Sequence, residues 1–255
     1  MVKVVFNQKG GVGKSTITCN LASVGAMSGK KTLVIDLDSQ CNSSFYLLGE
    51  NSPKDVSVSG YYKDILYSFF TKPDPSRYVL NTKFENLFLM AADDELDSIM
   101  EKLESRYKMF KLKEALESLK NDYDEIWIDT PPALNFYTRS ALIGADECIV
   151  PFDCDSFSKK AVENVFRSAS EIKADHNPKL EIKGIVANQF QKNANFPAAI
   201  LKELKDEGLP VFDTLVSSSV KIKESHYASK PMVYFDPKHK ISSEFISLYN
   251  ECCKI

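Results

Sequence analysis

Apolar residues fall into six short runs along the chain: residues 2–6, 31–38, 86–91, 124–129, 145–151 and 181–190. Residues 31–38 show the character of the set most clearly: Leu33-Val34-Ile35 is continuous rather than alternating, the mark of a parallel strand covered on both faces. Between the runs, apolar positions recur at helical spacing. Residues 17–24 and 241–252 read as helices, residues 61–70 as an aromatic-rich helix, 93–119 as a long charged helical region and 153–173 as a helix bearing Lys159, Lys160, Arg167 and Lys173. Strands alternating with helices predict an α/β fold, a doubly wound and mostly parallel sheet with helices on both faces. In such sheets ligands bind along the C-terminal edge of the strands.

Composition narrows this to one domain over 1–255. With 255 residues, 44% hydrophobic and no low-complexity tract, the chain can bury a full core without staples. Residues 43–84, within which Asn51-Ser52-Pro53 and Lys72-Pro73-Asp74-Pro75 flank the aromatic-rich helix, fit the pattern least. They read as a variable segment whose aromatics either pack on the body or contact a partner. A net charge of −3 does not by itself point to nucleic acid. The charge is uneven, however: residues 217–240 carry five lysines against Glu224 and Asp236, whereas 93–125 are acidic. Six cysteines lack metal-ligand spacing, no leader pattern opens the chain and no apolar run approaches the ~20 residues of a membrane span. A cytoplasmic protein with reduced thiols is expected.

The candidate chemistry starts at Gln8-Lys9-Gly10-Gly11-Val12-Gly13-Lys14-Ser15-Thr16, between the first strand and the first helix. Strand, glycine-rich turn and helix form the context of a phosphate-binding loop. Backbone N–H groups and the positive end of the helix dipole converge on phosphate there. Lys14 is placed to reach the outer phosphates and Ser15 to bind Mg2+. Asp36 and Asp38 end the second strand, and Asp129 ends the fourth run, as a carboxylate that binds Mg2+ directly or through water does.

The loop lacks the usual glycine at Gln8 and has a second lysine, Lys9. Lys-Gly-Gly-x-Gly-Lys-Ser resembles the deviant Walker A of the ParA/MinD group of P-loop ATPases. Asp36-Leu37-Asp38-Ser39-Gln40-Cys41-Asn42 is similar to that group's Asp-x-Asp-Pro-Gln-Gly-Asn, with Ser39 and Cys41 replacing proline and glycine. Tyr123-Asp124-Glu125-Ile126-Trp127-Ile128-Asp129-Thr130-Pro131-Pro132 resembles its Tyr-Asp-x-Ile-x-Ile-Asp-x-Pro-Pro block. The likeness extends over everything outside residues 43–84 and implies a P-loop NTPase fold.

The resemblance implies a Mg2+-dependent ATPase that dimerises on ATP. Residues 9–16 (Lys9, Gly10, Gly11, Val12, Gly13, Lys14, Ser15 and Thr16) would hold ATP, and Lys9 would cross to the nucleotide of the partner subunit. Ser15, Asp36 and Asp129 would hold Mg2+. Asp38 would orient or deprotonate the attacking water, with Lys9 and Lys14 completing the catalytic set. Asn188 fits the family position that reads the adenine edge, a buried turn-forming asparagine being the plainer alternative. By resemblance to ParA proteins, the ATP dimer would bind DNA non-specifically and track the nucleoid to position plasmid, chromosome or other cargo. A ParB-like partner would stimulate hydrolysis. Lys192, Lys221 and Lys223 are the phosphate-contact candidates, lysines where the family favours arginine's fork. The alternatives are a MinD-like membrane-cycling ATPase and a metabolic relative such as an amidoligase. The first wants a basic amphipathic C-terminal helix, and residues 242–255 carry two acids and one lysine.

Overall fold

The computed structural model describes residues 1–50, 56–68, 71–153, 158–191 and 195–253. In chain order, β1 (Val2–Val5) leads to α1 (Lys14–Met27), β2 (Thr32–Asp36), α2 (Asn42–Leu48) and α3 (Val58–Tyr67). A 3-10 turn at Pro75–Tyr78 precedes β3 (Leu80–Asn81), β4 (Leu87–Met90), α4 (Glu95–Ser105) and α5 (Lys111–Leu119). Then come β5 (Glu125–Asp129), α6 (Phe136–Gly144), β6 (Glu147–Phe152), α7 (Ser158–Asp175) and β7 (Glu181–Ala187). The chain closes with α8 (Asn195–Asp206), α9 (Val220–Tyr227), α10 (Met232–Phe235) and α11 (Lys240–Cys253).

The described strands form one seven-stranded sheet in the order β3-β4-β2-β5-β1-β6-β7. Every pairing is parallel except that of the short edge strand β3 with β4. Side-chain alternation sorts the strands' residues onto two cores. Val4, Leu33, Ile35, Ile126, Ile128 and Val150 face the layer containing α3 to α8. Val5, Val34, Trp127, Ile149 and Val186 face the layer containing α1, α2, α10 and α11. The expected doubly wound sheet, covered on both sides, is what forms.

Helix α1 is buried nearly all round, because the sheet lies on one side and α11 on the other. The apolar stripe of α11, with Ile241, Phe245, Leu248 and Tyr249 all buried, belongs to the same core as Ile17, Leu21 and Trp127.

Two expectations need adjustment. Residues 93–119 form two helices rather than one, since the chain turns at Tyr107 in a left-handed conformation, φ 54°. Its acidic first turn survives as Glu95 and Asp97 of α4. Asp153 precedes α7 rather than starting it, because the chain runs on from β6 to Asp153 before the helix begins at Ser158. Residues 209–212 join the sheet through a single bridge, Val211 to Ile185. Within residues 43–84 the aromatics mostly pack on the body: Tyr46, Tyr61 and Tyr62 are buried, and Tyr67 is exposed.

Candidate nucleotide site

The loop between β1 and α1 takes its shape from its glycines and from one asparagine outside it. Gly13 sits at φ 89° as the N-cap of α1, and Gly11 at φ 76°, both in the region that disfavours a side chain. A Cβ on Gly13 would stand 2.2 Å from the Asn188 amide nitrogen. Asn188, just past the end of β7, donates from Nδ2 to the Val12 carbonyl at 2.8 Å, and Gln189 Nε2 donates to Gly11 O at 2.8 Å. The start of the loop is braced similarly: Lys9 N donates to Asn7 Oδ1 (2.9 Å), and Asn7 Nδ2 to Pro151 O (2.7 Å).

Lys14 is buried, and its Nζ donates to the Lys9 carbonyl at 3.2 Å. Burial lowers its pKa, while Asp129 and Asp38 pull it back up. Lys9 Nζ pairs with Asp153 of the same chain at 2.7 Å.

The three carboxylates meet this loop at the sheet edge. Asp36 and Asp129 are register partners on β2 and β5, both wholly buried. Asp36 accepts from Ser44 N and Ser44 Oγ, each 2.8 Å, and from Asp38 N at 3.1 Å. Asp129 Oδ2 accepts from Ser43 Oγ at 2.7 Å. Burial, reinforced by Asp129, raises the pKa of Asp36, and burial raises that of Asp129 against the pull of Ser15, Ser43 and Lys14. Asp38 opens onto the cavity, its Oδ1 accepting from Gln40 N at 3.1 Å.

A cavity of about 490 Å3 opens against the loop, Lys14 and Asp38. Its walls are the loop, Asp38, Asn188, the α2 aromatics Phe45 and Tyr46, and the α9 face bearing Ile222, Lys223 and His226. The volume suits a nucleotide. Sequence patterns did not single out Ser43, Ser44, Tyr46, Asp153 or His226. Each is an ordinary residue type that only the fold brings to the site.

Two tests of fit are internal to the protein. Asp129 Oδ1 is buried and makes no hydrogen bond, although the Ser15 hydroxyl lies near enough to favour the ionised form. A buried carboxylate oxygen without a partner is costly and suits a cation or its hydration water. Among the described residues no group of three or more His, Cys, Asp or Glu forms a metal cage. Mg2+ in a phosphate site is held by one or two protein groups together with water and the substrate's own phosphates. Asn188 Oδ1 is likewise buried without a partner. Its Nδ2 already donates one hydrogen to Val12, which leaves the buried oxygen as a free acceptor at the cavity wall. Of the basic candidates, Lys221 is on the surface, paired with Glu224 at 2.8 Å. Lys223 lines the nucleotide cavity. Lys192 lies outside the described residues.

A glycine-rich loop capping the first helix, with buried carboxylates at the ends of adjacent parallel strands, defines a P-loop nucleotide hydrolase. The sequence model of a family described as an AAA domain matches residues 1–182. The chromosome partitioning protein ParA of Myxococcus xanthus is 29% identical over 253 residues, covering 98% of this chain and 87% of its own. Cobyrinic acid a,c-diamide synthase of Mycobacterium smegmatis, with bound ADP and magnesium, superposes with a TM-score of 0.81 at 25% identity, over 98% and 92% of the two chains. The Cyanothece McdA–ATP complex superposes with a TM-score of 0.87 at 21% identity, over 100% and 96%. The chain belongs to the ParA/MinD family of P-loop ATPases, and it is an ATPase of the ParA type.

Proposed function

We propose that this ATPase is a two-subunit timer that holds DNA while ATP is bound and lets go on hydrolysis. Two copies would enclose two ATP molecules, each subunit extending Lys9 to the other's nucleotide. Loop amides, Lys14 and Thr16 would hold the phosphates, and the Asn188 acceptor would take the adenine amino group. Ser15 would ligate Mg2+, with Asp36 and Asp129 anchoring its hydration shell. The ion supplies charge neutralisation on the phosphates.

Asp38 would orient a water in line with the γ-phosphorus. The new bond is from that water oxygen to phosphorus, the bond broken joins phosphorus to the β-phosphate bridging oxygen, and ADP leaves with Lys14 beside the departing charge. Loss of the γ-phosphate would release Lys9 and part the subunits.

What carries this reading is the meeting of Lys14, Asp38 and Asp129 at one sheet edge, with the Lys9 carbonyl on the Lys14 ammonium, in a chain similar over nearly its whole length to a chromosome partitioning protein. The nucleoid is the proposed track, a ParB-like protein the proposed accelerator and the cytoplasm the proposed setting. Lys221, and Lys192 by sequence, are the proposed phosphate contacts. Lys223 faces the nucleotide cavity and so has a second candidate ligand there. We read residues 1–255 as a single working domain.

The test is duplex DNA of arbitrary sequence at two salt concentrations, with ATP, with ADP and with neither. Retention only with ATP, weakening as salt rises, is expected. Equal retention in all three states, or none in any, overturns the DNA arm and leaves the ATPase standing.

A further inference from the structure

Helix α9 is attached to the protein in an unusual way. Of its eight residues only Ser225 is buried, while Val220 is 71% exposed and Tyr227 is 93% exposed. An amphipathic surface helix ordinarily holds its place through an apolar stripe. This one offers the core only the partly buried Ile222 and is seated mainly by polar and ring contacts. His226 Nε2 lies 3.1 Å from Thr16 Oγ1, in the first turn of α1. The His226 ring meets the Tyr46 ring edge-on with centroids 4.4 Å apart, and Tyr46 OH lies 2.8 Å from Ser225 Oγ. Asn20 Nδ2 reaches the same Tyr46 hydroxyl at 3.4 Å, and its Oδ1 accepts from Met232 N at 2.7 Å, tying α10 to α1.

Both seats belong to nucleotide-handling elements. Thr16 follows Lys14 and Ser15 directly. Tyr46 is on α2, the helix that begins four residues after Asp38 and carries Ser43 and Ser44, the partners of Asp129 and Asp36. We infer that His226 is a positioning residue that seats α9 on the nucleotide loop, so that the occupant of the loop decides where α9 and its lysines stand. Allosteric coupling requires two sites and an element both can bias. A helix held by a few polar contacts, with little apolar burial, is drawn from the low-stability end of a structure, where bound ligands act most strongly. The inference rests on ATP occupying the loop, and it needs no DNA for its test.

The experiment is amide hydrogen exchange over residues 220–228 with Mg·ATP, Mg·ADP and no nucleotide, with nucleotide binding measured in parallel by a fluorescent ATP analogue. In the wild type, Mg·ATP should slow exchange in α9 roughly tenfold relative to no nucleotide, within the ordinary range of allosteric coupling. His226→Leu keeps volume but cannot bond Thr16, and should reduce that difference to within about twofold of none, while His226→Gln, whose amide can reach Thr16, should restore most of it. Wild-type exchange in α9 that ignores nucleotide overturns the inference. So does a His226→Leu protein that binds the analogue and still shows the full difference. If His226→Leu fails to fold or to bind, Tyr46→Phe decides: it removes only the hydroxyl seat and must at least halve the ATP effect. An unchanged value overturns the inference.

Discussion

Asp36 and Asp129 stand opposite each other as register partners, both fully buried at the ends of adjacent strands. Two carboxyls so placed resist joint ionisation. Burial with the neighbouring charge raises Asp36 to about 8, and burial raises Asp129 to about 6. A carboxyl held above its unfolded value of about 4 stabilises the fold fully below that value and loses the contribution as pH climbs through its folded pKa. Without Mg2+ and nucleotide, the melting temperature should therefore fall between pH 6.5 and 8.5. Asp129→Asn should narrow the gap, and Mg·ATP should close it. A wild-type melting temperature that rises across this interval would mean the pair is ionised together in the free protein.

The Lys9–Asp153 pair makes a second prediction. Lys9 cannot serve a neighbouring subunit while its ammonium is held 2.7 Å from Asp153 of its own chain. Both side chains are partly exposed, 25% and 18%, so the pair is of modest strength and can exchange. Asp153→Asn should lower the concentration of half-dimerisation with ATP roughly two- to fivefold. Lys9→Ala should abolish the dimer. Sedimentation velocity with a slowly hydrolysed ATP analogue reads both.

Hydrolysis and binding should separate at Asp38. Its carboxylate opens onto the cavity and bonds the backbone of Gln40 rather than the phosphate loop. Asp38→Ala should cut kcat by about 10²–10⁴-fold, the usual worth of a group that positions or deprotonates a nucleophile. Nucleotide affinity should change far less. Phosphate release and analogue binding, measured on one preparation, compare the two.

Packing makes the fourth. A Cβ on Gly184 would lie 2.5 Å from the Phe212 ring, against the inner face of β7. Gly184→Ala should cost about 1–3 kcal/mol of stability by overpacking. Phe212→Leu placed alongside it should recover part of that loss in urea melts.

Much of this was legible in sequence because the chemistry is local. The phosphate loop, Asp36-Leu37-Asp38 and the strand ending in Asp129 are each contiguous, and each apolar run sets the edge at which its carboxylate emerges. Cys41 was legible too, as a cysteine where the resemblance has glycine. The structure explains the glycine, since Cys41 sits at φ 55°. What could not be read were contacts made by folding alone. Thr16 and His226 lie 210 positions apart, and Lys9 and Asp153 144. Nor does a lysine-rich stretch say which way each lysine faces, and Lys221 and Lys223 face differently.

The apolar stripe of α11 is already committed. Phe245, Leu248 and Tyr249 lie in one core with Ile17, Leu21 and Trp127. A lipid bilayer could receive that stripe only by peeling the helix away and wetting the back of α1, the helix that begins at Lys14. Membrane attachment through α11 and an intact phosphate site are thus rival uses of the same side chains.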